Sequence, residues 1–267
     1  GGQLENDNFS ISFFTVKDSD MVKFSSVINT GLKAEHPPTG SWQDKSQFDL
    51  GSGQNMRWVA SSGTIGASGS FNQNQWYHVV GTLEGTTAKL YIDGNFAAQD
   101  ATADIGFQAL MLGVNRSNDV ASRFYKGYLD ELKVYQGAKT QQEIAQICLS
   151  GSSKCNYTPI TPTNFAGVGR ARHNVLTWDA GVGVDNYTIT FRSSGGFEGS
   201  PSVADGNPTI TVSGNSTTYY HMDLTTSYYH YKIKANRTLP DGSVGSSSNS
   251  AVLGNVQPTS FVPNIID

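Results

Sequence analysis

The amino-acid sequence predicts an all-β protein, and three observations support this fold class. Several short stretches alternate apolar and polar residues with a period of two, and the clearest of them runs from Trp76 to Leu83. Turn signals separate these stretches. Asp93-Gly94 is one of them, because glycine tolerates the positive φ of a tight hairpin. Hydrophobic residues make up 37% and charged residues 15% of the 267 residues, a balance typical of short strands joined by long polar loops.

The N-terminal part of the chain shows strand signals separated by one long loop. We predict strands at residues 9–17, 27–31, 48–50 and 56–60. The last two are joined by a glycine-rich turn and should form a hairpin. In its second arm Met56 and Trp58 share one face, so Arg57 points the other way.

The strongest pattern lies between Trp76 and Ile144. One face of its first strand carries Trp76, His78, Val80 and Thr82. The other face carries Tyr77, Val79 and Leu83. A strand over residues 89–92, a polar loop over residues 114–119 and a long strand over residues 125–135 follow. Thr140-Gln141-Gln142-Glu143 then forms a capping box, which predicts a short helix with Ile144, Ile147 and Cys148 on one face.

The order of these motifs resembles the laminin-G-like, concanavalin-type jelly roll of secreted bacterial proteins. The segments that carry the resemblance are Trp76 to Thr82, Leu90 to Gly94, Leu110 to Gly113 and Tyr125 to Tyr135. The resemblance implies an antiparallel jelly-roll sandwich, which we assign to residues 1–156. The family usually has a further strand before the one at Phe9. Either that strand lies upstream, or another segment or chain completes the edge of the sheet.

A second, smaller domain is predicted after a Pro/Thr-rich linker that begins at Tyr157. A strand with a central Trp178, a strand with Tyr187 and a segment that alternates from Tyr229 resemble an immunoglobulin-like, fibronectin type III sandwich. In this resemblance Tyr229 is the tyrosine-corner residue, although Thr226 replaces the usual proline. We assign residues 157–254 to this domain and residues 255–267 to a tail or linker.

Charge and cysteine content limit the classes of partner and the compartment. The net charge of −4 argues against a nucleic-acid partner, which favours a basic surface. No apolar run reaches the ~20 residues of a membrane span, so we expect no membrane insertion. Cys148 and Cys155 lie seven positions apart without metal-ligand neighbours. We predict a disulfide between them, which indicates a secreted or cell-surface protein, and the alternative is two free thiols in a reducing compartment.

The sequence carries no recognisable catalytic motif. The E-x-D-x-x-E strand of β-glucan-cleaving concanavalin-type enzymes is missing, and Asp130 and Glu131 diverge because they are adjacent on a strand. We therefore expect a non-catalytic protein, either by itself or as part of a larger enzyme.

Asp130 is the candidate metal ligand. It shares strand parity with Leu132 and Val134, and a carboxylate on an apolar face needs a cation or several N–H donors. The concanavalin-type resemblance implies a structural calcium ion held by this aspartate, with a backbone carbonyl near Gly31. The alternative is that Asp130 caps backbone amides or pairs with a neighbouring lysine.

Aromatic faces combined with planar polar side chains are what recognise sugars, and loops carry such residues most often. The candidate ligand-binding residues are Trp42, Arg57, Asn115, Arg116, Asn118, Asp119 and Tyr125. Each could instead be structural, and Trp42 could lie in a subunit interface.

These observations predict an extracellular recognition protein that binds a glycan or another cell-surface ligand, as an adhesin, a fibre tip or an accessory part of a larger enzyme. The alternative is a structural or assembly protein without glycan affinity. It would form a homo-oligomer through its incomplete sheet edge.

Overall fold

The chain folds into two compact units, Gly1–Tyr157 and Thr158–Asp267. The computed structural model describes residues 8–19, 25–29, 46–60, 63–103, 105, 110–113, 115–117, 120–122, 124–151, 154–194, 203–204 and 206–260. Each unit has a hydrophobic core of its own.

The first unit consists of twelve described strands followed by one helix. They are β1 (Phe9–Lys17), β2 (Ser25–Asn29), β3 (Gln47–Leu50), β4 (Met56–Val59), β5 (Thr64–Gly66), β6 (Tyr77–Glu84), β7 (Thr87–Ile92), β8 (Asn95–Asp100), β9 (Met111–Leu112), β10 (Asn115–Ser117), β11 (Val120–Ser122), β12 (Gly127–Gln136) and α1 (Gln141–Ser150).

Two antiparallel five-stranded sheets enclose the core of this unit. The first sheet has the order β12-β1-β6-β7-β8 and the second the order β5-β4-β3-β2-β9. Phe13 of the first sheet meets Phe48 of the second at 5.3 Å between ring centroids. Gly81 lets the sheets approach, because a Cβ at that position would lie 2.6 Å from the Phe48 ring. The predicted all-β fold with jelly-roll character is thus confirmed at the level of its sheets.

The helix α1 lies against the outer face of the first sheet. Its buried Ile144 packs with Val80 and Tyr91. The predicted capping box is present, since the Thr140 hydroxyl accepts from the Glu143 N–H and the Glu143 carboxylate accepts from the Thr140 N–H. The helix therefore covers part of the face of β6 that carries His78, Val80 and Thr82.

Two details of the first unit differ from the sequence predictions. Residues 115–117 are not loop but form β10, which pairs with β11, because a short hairpin satisfies their backbone groups. The long strand β12 contains a bulge at Glu131, whose φ is 49°, and its pairing with β1 shifts there. Within the described strands β12 forms one edge of its sheet.

The second unit is a sandwich of two antiparallel sheets. Its strands are β13 (Ala166–Arg170), β14 (His173–Thr177), β15 (Asn186–Ser193), β16 (Thr209–Ser213), β17 (Thr218–His221), β18 (Tyr229–Thr238), β19 (Val244–Ser246) and β20 (Leu253–Val256). One sheet has the order β13-β14-β17; the other has the order β16-β15-β18-β19, with β20 also paired to β18. Trp178 packs edge-on to Tyr187 in the core between them.

The second unit extends beyond Gly254, where we predicted its end. The strand β20 continues to Val256, and Thr259 bridges Ala171 in parallel fashion. The Thr259 N–H donates to the Arg170 carbonyl, and its own carbonyl accepts from the Arg172 N–H. The first part of the predicted tail is thus paired with the end of β13. This pairing covers the edge of that strand.

The described residues contain no helix that is long and apolar enough to cross a membrane.

Candidate ligand-binding site

The face of the second sheet that points away from the core carries a group of polar side chains. In β3 the apolar Phe48 and Leu50 belong to the core, so Gln47 and Asp49 point to the opposite face. In β4 the same alternation puts Arg57 on that face, as the sequence predicts. Asp49 and Arg57 are direct cross-strand partners in the β3–β4 hairpin.

These side chains form a charged hydrogen-bonded network. The Arg57 guanidinium donates from Nε to Asp49 Oδ1 at 2.8 Å and from Nη2 to Asp49 Oδ2 at 2.8 Å. Gln47 Nε2 also donates to Asp49 Oδ2 at 2.8 Å. Asp49 is fully buried, whereas 20% of the Arg57 side chain is exposed. The bidentate contact fixes the plane of the guanidinium.

Within the part of the chain that the structure describes, two buried oxygen atoms beside this network have no hydrogen-bond partner. They are Gln47 Oε1 and Ser26 Oγ, and Ser26 lies opposite Asp49 in the pairing of β2 with β3. Buried polar atoms in native proteins are nearly always paired with protein or with water, so each such exception needs an explanation. A bound polar molecule or water could satisfy both atoms.

Two glycine residues lie beside the side chain of Arg57. Gly66 is its cross-strand partner in β5, and a Cβ at Gly66 would lie 3.8 Å from Arg57 Cγ. At Gly51, in the turn after β3, a Cβ would lie 3.0 Å from Arg57 Cδ. The Asn55 side chain lies beside both glycines, 2.5 Å from the Cβ that a side chain at Gly51 would add and 3.4 Å from one at Gly66.

The other predicted ligand residues lie elsewhere or outside the described residues. Trp42, Asn118 and Asp119 are outside them. Asn115 and Arg116 belong to β10, of which only the backbone is described. The structure therefore brings Arg57 together with Gln47, Asp49 and Ser26, which the sequence reading missed. The alternation in Gln47–Leu50 and the hairpin register are the signals that could have found them.

Tyr125 contributes to packing. Its ring lies against the core of the first unit, and its hydroxyl is 2.6 Å from Thr15 Oγ1. Burial raises the pKa of Tyr125 to about 12. These contacts give Tyr125 a packing role, and its contact with a ligand stays a prediction.

Asp130 does not lie on an apolar face, and this premise of the metal prediction was wrong. The bulge at Glu131 breaks the parity, so Leu129 and Leu132 both pack against the core while 48% of the Asp130 side chain is exposed. Its carboxylate binds Lys154 Nζ and caps the Glu131 N–H. These two contacts hold the pKa of Asp130 below its usual range.

This donor set does not fit a calcium ion, which takes six to eight oxygen ligands. The described residues contain no group of three or more His, Cys, Asp or Glu side chains that could hold a metal ion. Gly31 lies outside the described residues, so its share in a calcium site stays a prediction.

The predicted disulfide is present between Cys148 and Cys155, whose Cα atoms are 5.4 Å apart. The loop that it closes carries Lys154, whose ammonium lies 4.5 Å from the centroid of the Trp76 ring as well as binding Asp130. The loop closed by the disulfide therefore places a cation over Trp76, the residue just before β6.

Two buried titratable groups lie under the helix side of the same sheet. His78 is fully buried with Nε2 2.8 Å from Ser12 Oγ, and burial, aided by the charge of Lys133, lowers its pKa to about 3. Burial raises the pKa of Asp93 to about 7, although its carboxylate accepts N–H groups of His78 and Asn156. Burial in the packed protein is the main cause of both pKa shifts.

The family profile of the concanavalin A-like lectin/glucanases superfamily matches residues 2–145, more than half of the chain. The two-sheet first unit has the fold that such a match requires, and the chain therefore belongs to this superfamily. No curated protein sequence matches the chain.

Several solved structures are similar to just over half of the chain at low sequence identity. Domain 4 of an extracellular arabinanase from Geobacillus stearothermophilus, in complex with arabinotriose, is 18% identical over 53% of this chain and 66% of its own, with a TM-score of 0.39. A carbohydrate-binding module (CBM40) of a Ruminococcus gnavus sialidase, bound to α2,3 sialyllactose, is 14% identical over 53% of this chain and 83% of its own, with a TM-score of 0.44.

A pentraxin from Limulus polyphemus is 13% identical over 53% of this chain and 70% of its own, with a TM-score of 0.41. The matched part spans just under two thirds of the arabinanase domain. At these scores and identities the similarity tells nothing about the ligand of this chain.

Proposed function

We propose that the first unit is a non-catalytic, extracellular glycan-recognition domain whose site is the Arg57 network on the outer face of the second sheet. The observation that carries this proposal is the guanidinium of Arg57. This group is partly exposed, and its bidentate contact with the buried Asp49 fixes the orientation of its plane. Sugar hydroxyls are bound by such planar polar groups, and membership in a lectin/glucanase superfamily is consistent with this ligand class.

The oxygens of Gln47 and Ser26 that have no partner among the described residues support the same site. Each can accept a hydrogen bond from a hydroxyl group, so the group offers donors and acceptors side by side. Glycosidases use two carboxyl groups as acid and nucleophile or base. Asp49 is occupied by Arg57 and Gln47, so it is poorly placed for proton transfer, which favours binding over catalysis.

The disulfide favours an extracellular setting, because such bonds persist in oxidising compartments. We propose that the second unit is the fibronectin type III-like domain that the sequence predicts. Its sheets of three and five described strands suit that proposal.

The experiment is a glycan array probed with the whole chain and with a variant that preserves the packing of the site. Asp49→Asn combined with Arg57→Gln replaces the ion pair by a neutral pair of similar size, so no buried charge is left alone. We expect the wild type to bind a defined set of glycans and the double variant to lose at least tenfold in affinity.

The control is Lys133→Gln, because Lys133 is a half-exposed residue of β12 in the first sheet. Unchanged glycan binding by the folded double variant would exclude the Arg57 network. An array without any bound glycan would favour the assembly role or a protein ligand.

A further inference from the structure

The three-stranded sheet of the second unit has an outer face that the proposed site in the first unit does not involve. The pairing of β13 with β14 and of β14 with β17 places its outward side chains in rows across the strands. The central row is Val168, Val175 and Tyr220. Its exposure is large, since 51% of Val168 and 57% of Tyr220 are open to solvent.

Polar side chains border this apolar row on both sides. On one side lie Arg170 and His173, which are direct partners, and on the other lie Thr177 and Thr218, which are also direct partners. The His173 ring lies 6.1 Å from the Tyr220 ring, and its Nδ1–H donates to the Ala171 carbonyl at 2.9 Å. With Nδ1 as the donor to this carbonyl, Nε2 of a neutral imidazole is an acceptor.

The face is too small for a stable protein interface. The two longer strands, β13 and β14, have five residues and are about 17 Å long, and three strands at ordinary spacing are about 14 Å wide. The resulting area of about 240 Å² is well below the about 800 Å² that each partner contributes to a standard interface. Solvent-exposed apolar groups on so small a face suit a small or chain-like ligand that lies flat.

The chemical pattern of the face matches a sugar ring. A pyranose or furanose has an apolar C–H side that stacks on an aromatic ring, and hydroxyl groups at its rim that need hydrogen-bond partners. Here the aromatic ring is Tyr220, and the rim partners are Arg170, His173 and the two threonines. The sequences of the three strands contain no acidic residue, so neutral and anionic sugars are both compatible.

We propose that this face of the second unit is a separate glycan-contact surface, with Tyr220 as the residue on which a sugar ring stacks. Two glycan-contact surfaces on one chain raise the affinity for a polymer that spans both, because the second contact is intramolecular.

The test is electrophoresis of the whole chain in native gels that contain soluble polysaccharides, namely arabinan, xylan, mannan, pectin and a mixed-linkage β-glucan. We expect retardation by at least one of them and an apparent affinity about tenfold lower for Tyr220→Ala, as loss of one aromatic stack predicts. Tyr220→Phe should keep most of the affinity, since the ring remains.

Val168→Asn is an independent variant of the same row, and it should also lower the affinity. The matched control is Tyr128→Ala, because Tyr128 is a tyrosine of similar exposure in β12 of the first unit. Melting curves show whether each variant is folded.

The outcomes separate this proposal from that for the first unit. If the Asp49→Asn, Arg57→Gln double variant abolishes retardation while Tyr220→Ala has none of the expected effect, the second surface is disproved and the first stands. If Tyr220→Ala lowers the affinity while the double variant is retarded like the wild type, the second surface alone is supported. No retardation of the wild type, or a dimer in sedimentation that Tyr220→Ala dissociates, would overturn the proposal.

Discussion

The contribution of the Asp49–Arg57 ion pair to stability depends on the burial of Asp49. The carboxylate is completely buried, so its charge is balanced within the protein rather than by water. Removal of one partner leaves a buried charge without its main counter-ion, and such losses cost about 3–5 kcal/mol.

We therefore expect Arg57→Ala to lower the free energy of unfolding by about 3–5 kcal/mol. The Asp49→Asn, Arg57→Gln double variant should recover more than half of that loss, because neither remaining group is charged. Urea denaturation of the wild type and of the two variants measures both effects. An Arg57→Ala variant as stable as the wild type would show that Asp49 is balanced by other contacts.

His78 makes the protein sensitive to acid. Its pKa is lowered to about 3 in the folded state, so the folded protein binds this proton less readily than the unfolded chain. Stability is therefore fully present above the ordinary histidine pKa near 6.5 and is lost as the pH falls towards 3. The loss is at most about 1.4 kcal/mol per pH unit for one group.

His78→Gln, which can keep a hydrogen bond to Ser12, should make the fall in stability between pH 6.5 and 3.5 shallower than in the wild type. The difference between the two proteins cancels the contributions of other groups, such as Asp93, whose raised pKa gives the opposite slope. Equal slopes would mean that His78 is protonated in the folded protein.

Asp130 tests the calcium prediction directly. Because Lys154 is its counter-ion here, we expect Asp130→Ala and Lys154→Ala to lower the melting temperature by similar small amounts. The chelator EDTA should leave the wild-type melting curve unchanged. A melting temperature that rises with calcium and loses that response in Asp130→Ala would instead establish the metal site.

At the scale of elements, the segment after the helix is stabilised by its disulfide and by the hairpin turn beneath it. The turn residue Gly94 has φ 76°, and a Cβ there would lie 2.7 Å from the Tyr157 ring. Tyr157 itself is almost fully buried. The sequence predicts this turn from Asp93-Gly94, but only the tertiary structure shows that the turn is packed under the chain that follows the helix.

Removal of the disulfide by Cys148→Ala and Cys155→Ala should lower the free energy of unfolding by about 2.5 kcal/mol, the entropy expected for so short a loop. Denaturation of the oxidised wild type and of this double variant gives the difference. Because the two cysteines are buried, part of the loss will come from packing, which the reduced wild type controls for. A reduced wild type as stable as the oxidised one would contradict the prediction.

At the scale of the whole molecule, the two units have separate hydrophobic cores. We expect two transitions in calorimetry. Val79→Ala, in the first core, should lower only one of them and Ile233→Ala, in the second core, only the other. Core truncations of this kind cost about 1–5 kcal/mol. A single transition that both variants lower equally would show that the units unfold together.

The sequence by itself determined the strand order around Trp76, the capping box at Thr140 and the direction of Arg57, because these depend on local periodicity and turn chemistry. The tertiary structure alone decided the rest. The bulge at Glu131 turned Asp130 away from the core, and the lysine that binds Asp130 comes from the distant disulfide loop. The partners of Arg57 depend on the register between β3 and β4, and the row that ends at Tyr220 depends on strands from three separate segments. The Lys154–Asp130 contact and the row that ends at Tyr220 join separate segments of the chain, and local pattern carries no information about them. The Asp49–Arg57 contact spans only eight residues, but the pairing register that forms it is decided by the packing of the hairpin.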